Sequence, residues 1–308
     1  MVKMTDLAAL TNAITDIIVE VTDRELNRIG LRKGFYNSKA NISYEEFLEM
    51  ISSKKSVSVP GGSPANVIHG ASALSLETAL LGTVGNDNYG QEYIKDLEKS
   101  NIKPLLNIAE GPSGLCYVLV TPDGEKTSTA KMGVAGRYDF DLGQLKQAKI
   151  FHTSGYELMT NPERTMETTD YAKKIGAKIS FDLADPNAVE RERKNMEELL
   201  DNIDILFATE HEARELTGHG LNKSLDYLSE TCTVVAIKKG KHGSVVKQGE
   251  ESYNIPICDV KVVNTNGAGD AYAAGFLFGY SRGFPLKECG HVGSYFASRV
   301  CAIKESHL

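Results

Sequence analysis

The chain of 308 residues carries no C-x-x-C pair among its five cysteines, Cys116, Cys232, Cys258, Cys289 and Cys301. Without that spacing a zinc-type ligand set is not indicated, and an odd, scattered count does not suit a disulfide framework. Small buried apolar residues are the plainer reading of these thiols. No stretch is long and apolar enough to span a membrane. Asp6 and Asp16 interrupt the apolar run near the N-terminus, so a signal-peptide pattern is missing and a cytoplasmic location is expected. An excess of positive charge is also lacking. The net charge is −7, which argues against a nucleic-acid partner because phosphate neutralisation needs a basic face. Repeats, low-complexity tracts, the G-x-x-x-x-G-K-[ST] loop and an N-terminal G-x-G-x-x-G are all absent.

What remains is an ordinary globular composition, 41% hydrophobic and 24% charged, and a length that allows one large α/β domain or one plus a small appendage. The most informative stretch runs from Val262 to Gly279. Ile257 to Val263 reads as an apolar strand, Asn264-Thr265-Asn266-Gly267 as a turn, and the chain from Ala268 as a helix with Ala271, Ala274, Gly275 and Phe278 on one face. A helix N-terminus offers unpaired N–H groups and the positive end of a dipole. Gly267 and Gly269 let an anion approach the backbone closely. Asp270 lies inside that field, where it could take a proton from a hydroxyl attacking phosphorus. The same residues would also serve as a plain turn and cap.

Upstream, Ala8 to Val21 reads as one strand ending near Asn12 and another beginning near Ile17, which sets Asn12 and Asp16 at a strand terminus. Ser43-Tyr44-Glu45-Glu46 is a capping-box pattern leading into a helix of two to three turns. Pro60-Gly61-Gly62-Ser63-Pro64-Ala65-Asn66 opens a helix running from about Pro64 to Leu74. Leu115 to Thr121 and Lys126 to Lys131 read as strands around the turn Pro122-Asp123-Gly124. From Ala148 to Leu206 strands alternate with helices, which implies a mainly parallel sheet covered on both faces. Tyr156 follows a strand end, where packing and ligand stacking are both open. Val234 to Gly243 is a strand followed by a glycine turn.

Asn264 to Asp270 resembles the D-T-x-G-A-G-D signature of the ribokinase-like (PfkB) carbohydrate and nucleoside kinases at six of seven positions, with Asn264 in place of the first Asp. Gly61, Gly62 and Asn66 resemble the family's G-G-x-x-x-N element. Gly82 to Gly90 resembles G-x-x-G-x-D-x-x-G. Glu212 matches N-x-x-E with Thr209 in the Asn position, and Lys238-Lys239-Gly240-Lys241-His242-Gly243 resembles T-x-G-x-x-G with Lys238 in the Thr position. The Asn12/Asp16 spacing and the insertion from Asp23 to Ser58 resemble the adenosine-kinase branch.

The resemblance implies an α/β fold, a Rossmann-like three-layer αβα sandwich with a small β-sheet lid. The core would comprise residues 1–16, 59–110 and 136–308, and the lid residues 17–58 and 111–135. It implies ATP-dependent transfer of the γ-phosphate to the primary hydroxyl of a ribonucleoside, adenosine first. Asp270 would be the base and the backbone of Gly267, Ala268 and Gly269 the anion hole, with Lys126 reaching the phosphate. Asn12, Asp16, Gly61, Gly62, Ser63, Asn66 and Tyr156 would hold the acceptor. Phe35, Tyr36, Leu115 and Tyr156 are candidates for an apolar wall against the base. ATP would lie near Lys238, Gly240, Gly243, Asn264, Thr265 and Asn266, with Mg²⁺ on its phosphates and Glu212 acting through water. The expected partners are a small-molecule acceptor and ATP, with no nucleic acid and no membrane, for a monomer or homodimer. The alternatives are a sugar kinase of the same family, a nucleoside-binding member without turnover, and a nicotinamide-dependent oxidoreductase, which the missing dinucleotide fingerprint disfavours.

Overall fold

Hydrophobic residues that alternate along buried strands sort the chain into layers. The computed structural model describes residues 4–37, 40–146 and 148–303; residues 1–3, 38–39, 147 and 304–308, and the parts of the expected core and lid that fall on them, lie outside the described residues. In chain order the strands are β1 (Thr5–Leu10), β2 (Ile14–Glu20), β3 (Tyr36–Asn37), β4 (Ser56–Pro60), β5 (Thr78–Gly85), β6 (Ile102–Ala109) and β7 (Gly114–Val120). They continue with β8 (Lys126–Lys131), β9 (Ala148–Ser154), β10 (Lys178–Asp182), β11 (Ile205–Thr209), β12 (Val234–Lys238), β13 (Ser244–Gln248) and β14 (Glu251–Ile255). The helices are α1 (Asp23–Ile29), α2 (Tyr44–Ser52), α3 (Ser63–Ala73), α4 (Asn88–Lys99), α5 (Gly155–Thr160) and α6 (Pro162–Lys174). After these come α7 (Pro186–Leu200), α8 (Glu210–Thr217), α9 (Leu221–Ser229), α10 (Ala268–Ser281) and α11 (Leu286–Cys301).

Nine strands form one sheet in the order β14-β13-β12-β11-β10-β9-β1-β5-β6. It is parallel from β12 to β6. The hairpin of β13 and β14 adds two antiparallel strands at one edge. Successive strand residues go to opposite faces. Ala8, Leu206, Val235 and Ile237 pack into a core with α6 to α9, through Ala172, Met196, Leu199, Leu216 and Leu228. Leu7, Ile205, Phe207, Val234 and Ala236 pack on the other face with α3, α4, α10 and α11, through Ile68, Leu97, Phe276 and Phe296. This is the αβα sandwich of the Rossmann-like type. Gly70 in α3 permits the tight approach of α10, because a Cβ there would meet Ala274 Cβ and Phe296 Cε1 at 2.8 Å.

A second sheet, in the order β3-β8-β7-β2-β4, stands apart from the first. Parallel and antiparallel pairs mix in it. One face carries α1 and α2 over a third core of Ile17, Val19, Leu26, Phe47, Tyr117 and Leu119. Both helices start with capping boxes, Thr22 with Glu25 and Ser43 with Glu46.

Four sequence expectations need correction. Ile257 to Val263 is not a strand but an irregular segment, with Ile257, Val262 and Val263 at least half exposed. Its apolar side chains serve a cavity wall rather than a sheet. The second strand begins at Ile14 rather than near Ile17, so Asp16 lies within β2 and not at a strand terminus. Leu115 packs toward the core beneath α1 and α2, which removes it from the expected wall against a base. Cys116 is only partly buried rather than a core residue, and it stands opposite Asp16 in the second sheet. Among the described residues no helix is long and apolar enough to cross a membrane.

Candidate active site

The link between β1 and β2 fixes one side of the site. Glu157, fully buried at the start of α5, accepts from the backbone N–H of Asn12 at 2.9 Å and from Ser154 Oγ at 2.5 Å. Tyr138 Oη donates to Asn12 Oδ1 at 2.5 Å. Asn12 is thus held from both its backbone and its side chain. Burial pushes Glu157 up to about 7, against the pull of these hydrogen bonds.

Gly61 and Gly62 precede α3. Gly62 takes φ 104°, and a Cβ there would stand 2.5 Å from Thr11 Oγ1 and 2.6 Å from the Asn12 carbonyl oxygen. A Cβ on Gly61 would press on the Asp16 carboxylate at 3.0–3.3 Å. The paired glycines therefore let the start of α3 close against Asp16 and the β1–β2 link. Burial raises Asp16 to about 6, while the Cys116 thiol and Lys126 counteract it and Asp270 adds repulsion.

Asp270 lies in the first turn of α10. Its Oδ1 accepts from Ser63 Oγ at 2.7 Å and its Oδ2 from Asn66 Nδ2 at 2.8 Å. Both donors come from the first turn of α3, so two helix N-termini converge on one carboxylate. Burial raises Asp270 to about 6, with the Asn66 and Ser63 bonds pulling the other way. Asn66 Oδ1 is buried with no partner among the described residues. Gly267 caps α10 at φ 72°. The Ala268 N–H is directed to the Thr265 carbonyl at 3.2 Å. The first-turn donors that helix geometry leaves over are then those of Gly269 and Asp270.

Three adjacent parallel strands bring a charged cluster to the same edge. Lys238 ends β12 and pairs with Asp182, which ends β10, at 2.6 Å. Glu212, at the third position of α8, closes a capping box with Thr209. Burial raises Glu212 above its ordinary range, against the attraction of Lys238. Tyr156 follows in the first turn of α5: burial first, then the charges of Asp185, Asp270, Glu212 and Asp182, drive its hydroxyl well above its ordinary range.

Beside the cluster is a cavity of about 400 Å³. Lys238, Gly240, Gly243, Thr265 and Gly269 line it, with Ile257, Val260 and Val262 supplying apolar wall. Gly243 is fixed by geometry, because a Cβ would fall 2.0 Å from the Ile255 carbonyl oxygen. Asn264 turns away toward the second sheet, where its Oδ1 accepts from Lys126 Nζ at 3.2 Å and from the Asn266 N–H at 3.0 Å. The structure thus brings Asp16, Gly61, Gly62, Ser63, Asn66 and Asp270 together on one side of α10, and the glycine-turn residues on the other.

The sequence model of the pfkB family carbohydrate kinases matches residues 40–306. The chain belongs to that family. An uncharacterized sugar kinase of Archaeoglobus fulgidus is 31% identical over 241 residues, covering 75% of this chain and 93% of its own. A nucleoside kinase of Methanothermobacter thermautotrophicus is 31% identical over 269 residues, covering 84% of each chain. The crystal structure of adenosine kinase from Sinorhizobium meliloti matches with a TM-score of 0.90 at 29% identity, over 99% of this chain and 96% of its own. The ribokinase-like fold is therefore shown, and membership of the family supports a phosphotransferase activity.

Asp182, Glu157 and Tyr138 escaped the sequence reading. Asp182 and Glu157 each lie at or just past the C-terminal end of a parallel strand, where α/β proteins gather ligand-binding groups. That position is the signal that could have found them. Tyr138 has no local signal, since it reaches Asn12 from 126 residues away.

Proposed function

We propose that the chain phosphorylates the primary hydroxyl of a ribonucleoside, adenosine first, with ATP as donor. The observation that carries this reading is the clamp on Asp270. A carboxylate at a helix N-terminus, fixed by Ser63 and Asn66, stands between the 400 Å³ cavity and the Asp16 side of the cleft. A group so placed can remove a hydroxyl proton while the α10 N-terminus stabilises charge on the phosphoryl oxygens. Asp16 accepts from ribose hydroxyls, as a carboxylate can for a vicinal diol. The unpartnered Asn66 Oδ1 supports a ligand hydroxyl beside Asp270, because buried acceptors are rarely left empty.

The nucleotide occupies the cavity lined by the glycine turn and the irregular segment, with its phosphates toward Gly269. Mg²⁺ would be carried by the phosphates, with Glu212 reaching it through water. The ion would neutralise phosphate charge. The second sheet with α1 and α2 is the lid: the face opposite its own core carries Asp16, Ile18, Cys116 and Val118, and Lys126 extends from it to Asn264. Tyr36, exposed and paired beside Ser128, is an aromatic on that side of the lid. The adenosine kinase from Sinorhizobium meliloti, similar over nearly the whole chain, supports the nucleoside branch.

The test compares kcat/KM for adenosine, inosine, guanosine, ribose, fructose and fructose phosphate at fixed ATP-Mg. Stacking a base on an aromatic adds about 1–3 kcal/mol, so adenosine is expected to exceed free ribose by roughly 10–100-fold. A higher value for any sugar or sugar phosphate would sink the nucleoside reading and favour a sugar kinase. An inosine or guanosine preference would change the base alone.

A further inference from the structure

Lys238 is buried deeply for a lysine, and its surroundings are unbalanced in charge. The ion pair with Asp182 leaves 14% of the lysine side chain and 6% of the aspartate exposed. Strand register delivers the pair: Asp182 stands opposite Phe207 in β11, and Lys238 opposite Thr209. Glu212 and Asp270 also act on the ammonium. A Cβ built on Gly269 would lie 3.3 Å from Lys238 Nζ, so the ammonium rests against the first turn of α10, next to the residue that precedes Asp270. Lys238 also lines the nucleotide cavity, together with Gly269 and Thr265.

A lysine that served only the fold would need one carboxylate. Here Asp182 pairs with the ammonium at 2.6 Å, and the charges of Glu212 and Asp270 add to the negative field it sits in. The surplus negative charge lies where an anionic phosphate chain must arrive, so the ammonium is the group that makes this floor tolerable to it. Burial would lower Lys238, but Asp182 and Glu212 outweigh it and hold the side chain above its ordinary range, so it stays protonated. Lys126 approaches from the second sheet and is bonded to Asn264. Lys238 therefore supplies positive charge from the core side, on a strand of the large sheet.

We infer that Lys238 is a catalytic residue whose ammonium contacts an oxygen of the phosphoryl group in transfer, with Asp182 as the positioning residue that holds it between the nucleotide cavity and Asp270. The inference rests on the kinase reading above. In the step, the acceptor oxygen bonds to the γ-phosphorus as the bond from that phosphorus to the β–γ bridging oxygen breaks. The hydroxyl proton passes to Asp270, the electrons of the broken bond leave with ADP, and Lys238 keeps its proton. A lysine gives a point charge rather than a planar fork, which allows contact to persist as the group moves.

The experiment compares wild type with Lys238→Met, Asp182→Asn and the double variant. Turnover is measured with the best acceptor, Mg-ATP and Mg-ADP affinities by calorimetry, and Tm by scanning. Loss of one preorganised group that stabilises developing charge costs about 10²–10³ in kcat. Lys238→Met is expected to lose that much and most of the preference for ATP over ADP, with acceptor KM nearly unchanged. Asp182→Asn should fall between. The double variant leaves neither charge of the pair buried alone, so it should regain Tm without regaining kcat. A double variant with wild-type kcat, or a Lys238→Met protein that keeps both kcat and the ATP/ADP ratio, overturns the inference. If wild type phosphorylates none of the acceptors, the acceptor reading fails separately. The ATP/ADP ratio then decides on Lys238: its loss in Lys238→Met supports the contact, and an unchanged ratio overturns it.

Discussion

Ser63 and Asp270 are 207 residues apart in the chain, yet Ser63 Oγ donates to Asp270 Oδ1 across 2.7 Å. With Asn66 on the other oxygen, this contact fixes both the position and the rotamer of the carboxylate. The two helices it joins, α3 and α10, pack directly on one face of the large sheet. The orientation of the proposed base is thus set by core packing rather than by a loop.

Replacing Asp270 by Asn keeps the shape and both neighbours, so the fold is expected to survive. Loss of a positioned general base costs about 10²–10⁴-fold in kcat. Circular dichroism with steady-state kinetics checks both halves. A variant within a few-fold of wild type would show that Asp270 is not the base.

The pH profile follows from two raised carboxylates. Asp270 and Asp16 are each pushed up to about 6 by burial. Both are proposed to work ionised, so activity should rise as pH increases through about 6 and level off above 7. Protonation of Asp270 removes the base and should appear in kcat. Protonation of Asp16 removes an acceptor of ribose hydroxyls and should appear in the KM for the nucleoside. A profile flat from pH 5 to 8 would contradict both assignments.

Asp16→Ala should raise the nucleoside KM while leaving the KM for ATP nearly unchanged. A hydrogen bond to a charged group is worth about 1.5–3 kcal/mol, which corresponds to roughly 10–100-fold. Initial-rate measurements with each substrate varied in turn separate the two constants. Equal changes in both would place Asp16 outside the acceptor site.

Asn264 bonds Lys126 and the Asn266 N–H. Asn264→Asp would set a carboxylate against Lys126 and near the incoming phosphates. The expected outcome is a weaker apparent affinity for ATP and an altered Mg²⁺ dependence, with the acceptor KM little changed. Titrating Mg²⁺ at fixed ATP measures it, and a change confined to the acceptor KM would show that this residue lies elsewhere relative to the nucleotide.

Much of this site could be read from sequence because its parts are local. The glycine turn, the start of the helix after it and Asp270 sit within seven residues, and Gly61-Gly62 with Asn66 opens a helix whose start is marked by Pro64. The contacts between those parts were not legible. Nothing near Lys126 signals Asn264, which meets it only where the second sheet approaches the irregular segment before α10, and nothing near Lys238 signals Asp182, since sheet order and register alone bring that pair together. Ile257 to Val263 misled for a physical reason. A β-branched apolar run suits a strand and equally suits the wall of a ligand cavity, and here Ile257, Val260 and Val262 line one. The hairpin of β13 and β14 and the helices α1, α9 and α11 carried weaker local signals and went unread.

Glu157 provides a test of stability that is independent of turnover. Its carboxyl is fully buried and is pushed up to about 7 by that burial, against the Ser154 and Asn12 hydrogen bonds. In the unfolded chain a glutamate titrates near 4.3. A carboxyl whose folded pKa is raised favours the folded state most when it is protonated in both states. Its contribution is therefore complete below about pH 4 and is lost as pH climbs through 7. The shift of two to three pH units corresponds to at most about 3–4 kcal/mol. Glu157→Gln keeps an oxygen for the Asn12 N–H and removes the charge. The variant should match or trail wild type at pH 4.5 and exceed it at pH 8. Denaturant melts at both values, together with a mid-range series, measure the difference. The low-pH limb of kcat near 6 should persist in Glu157→Gln, because that limb belongs to Asp270. A limb that disappears with Glu157 would move the titration that controls activity to the support of Asn12.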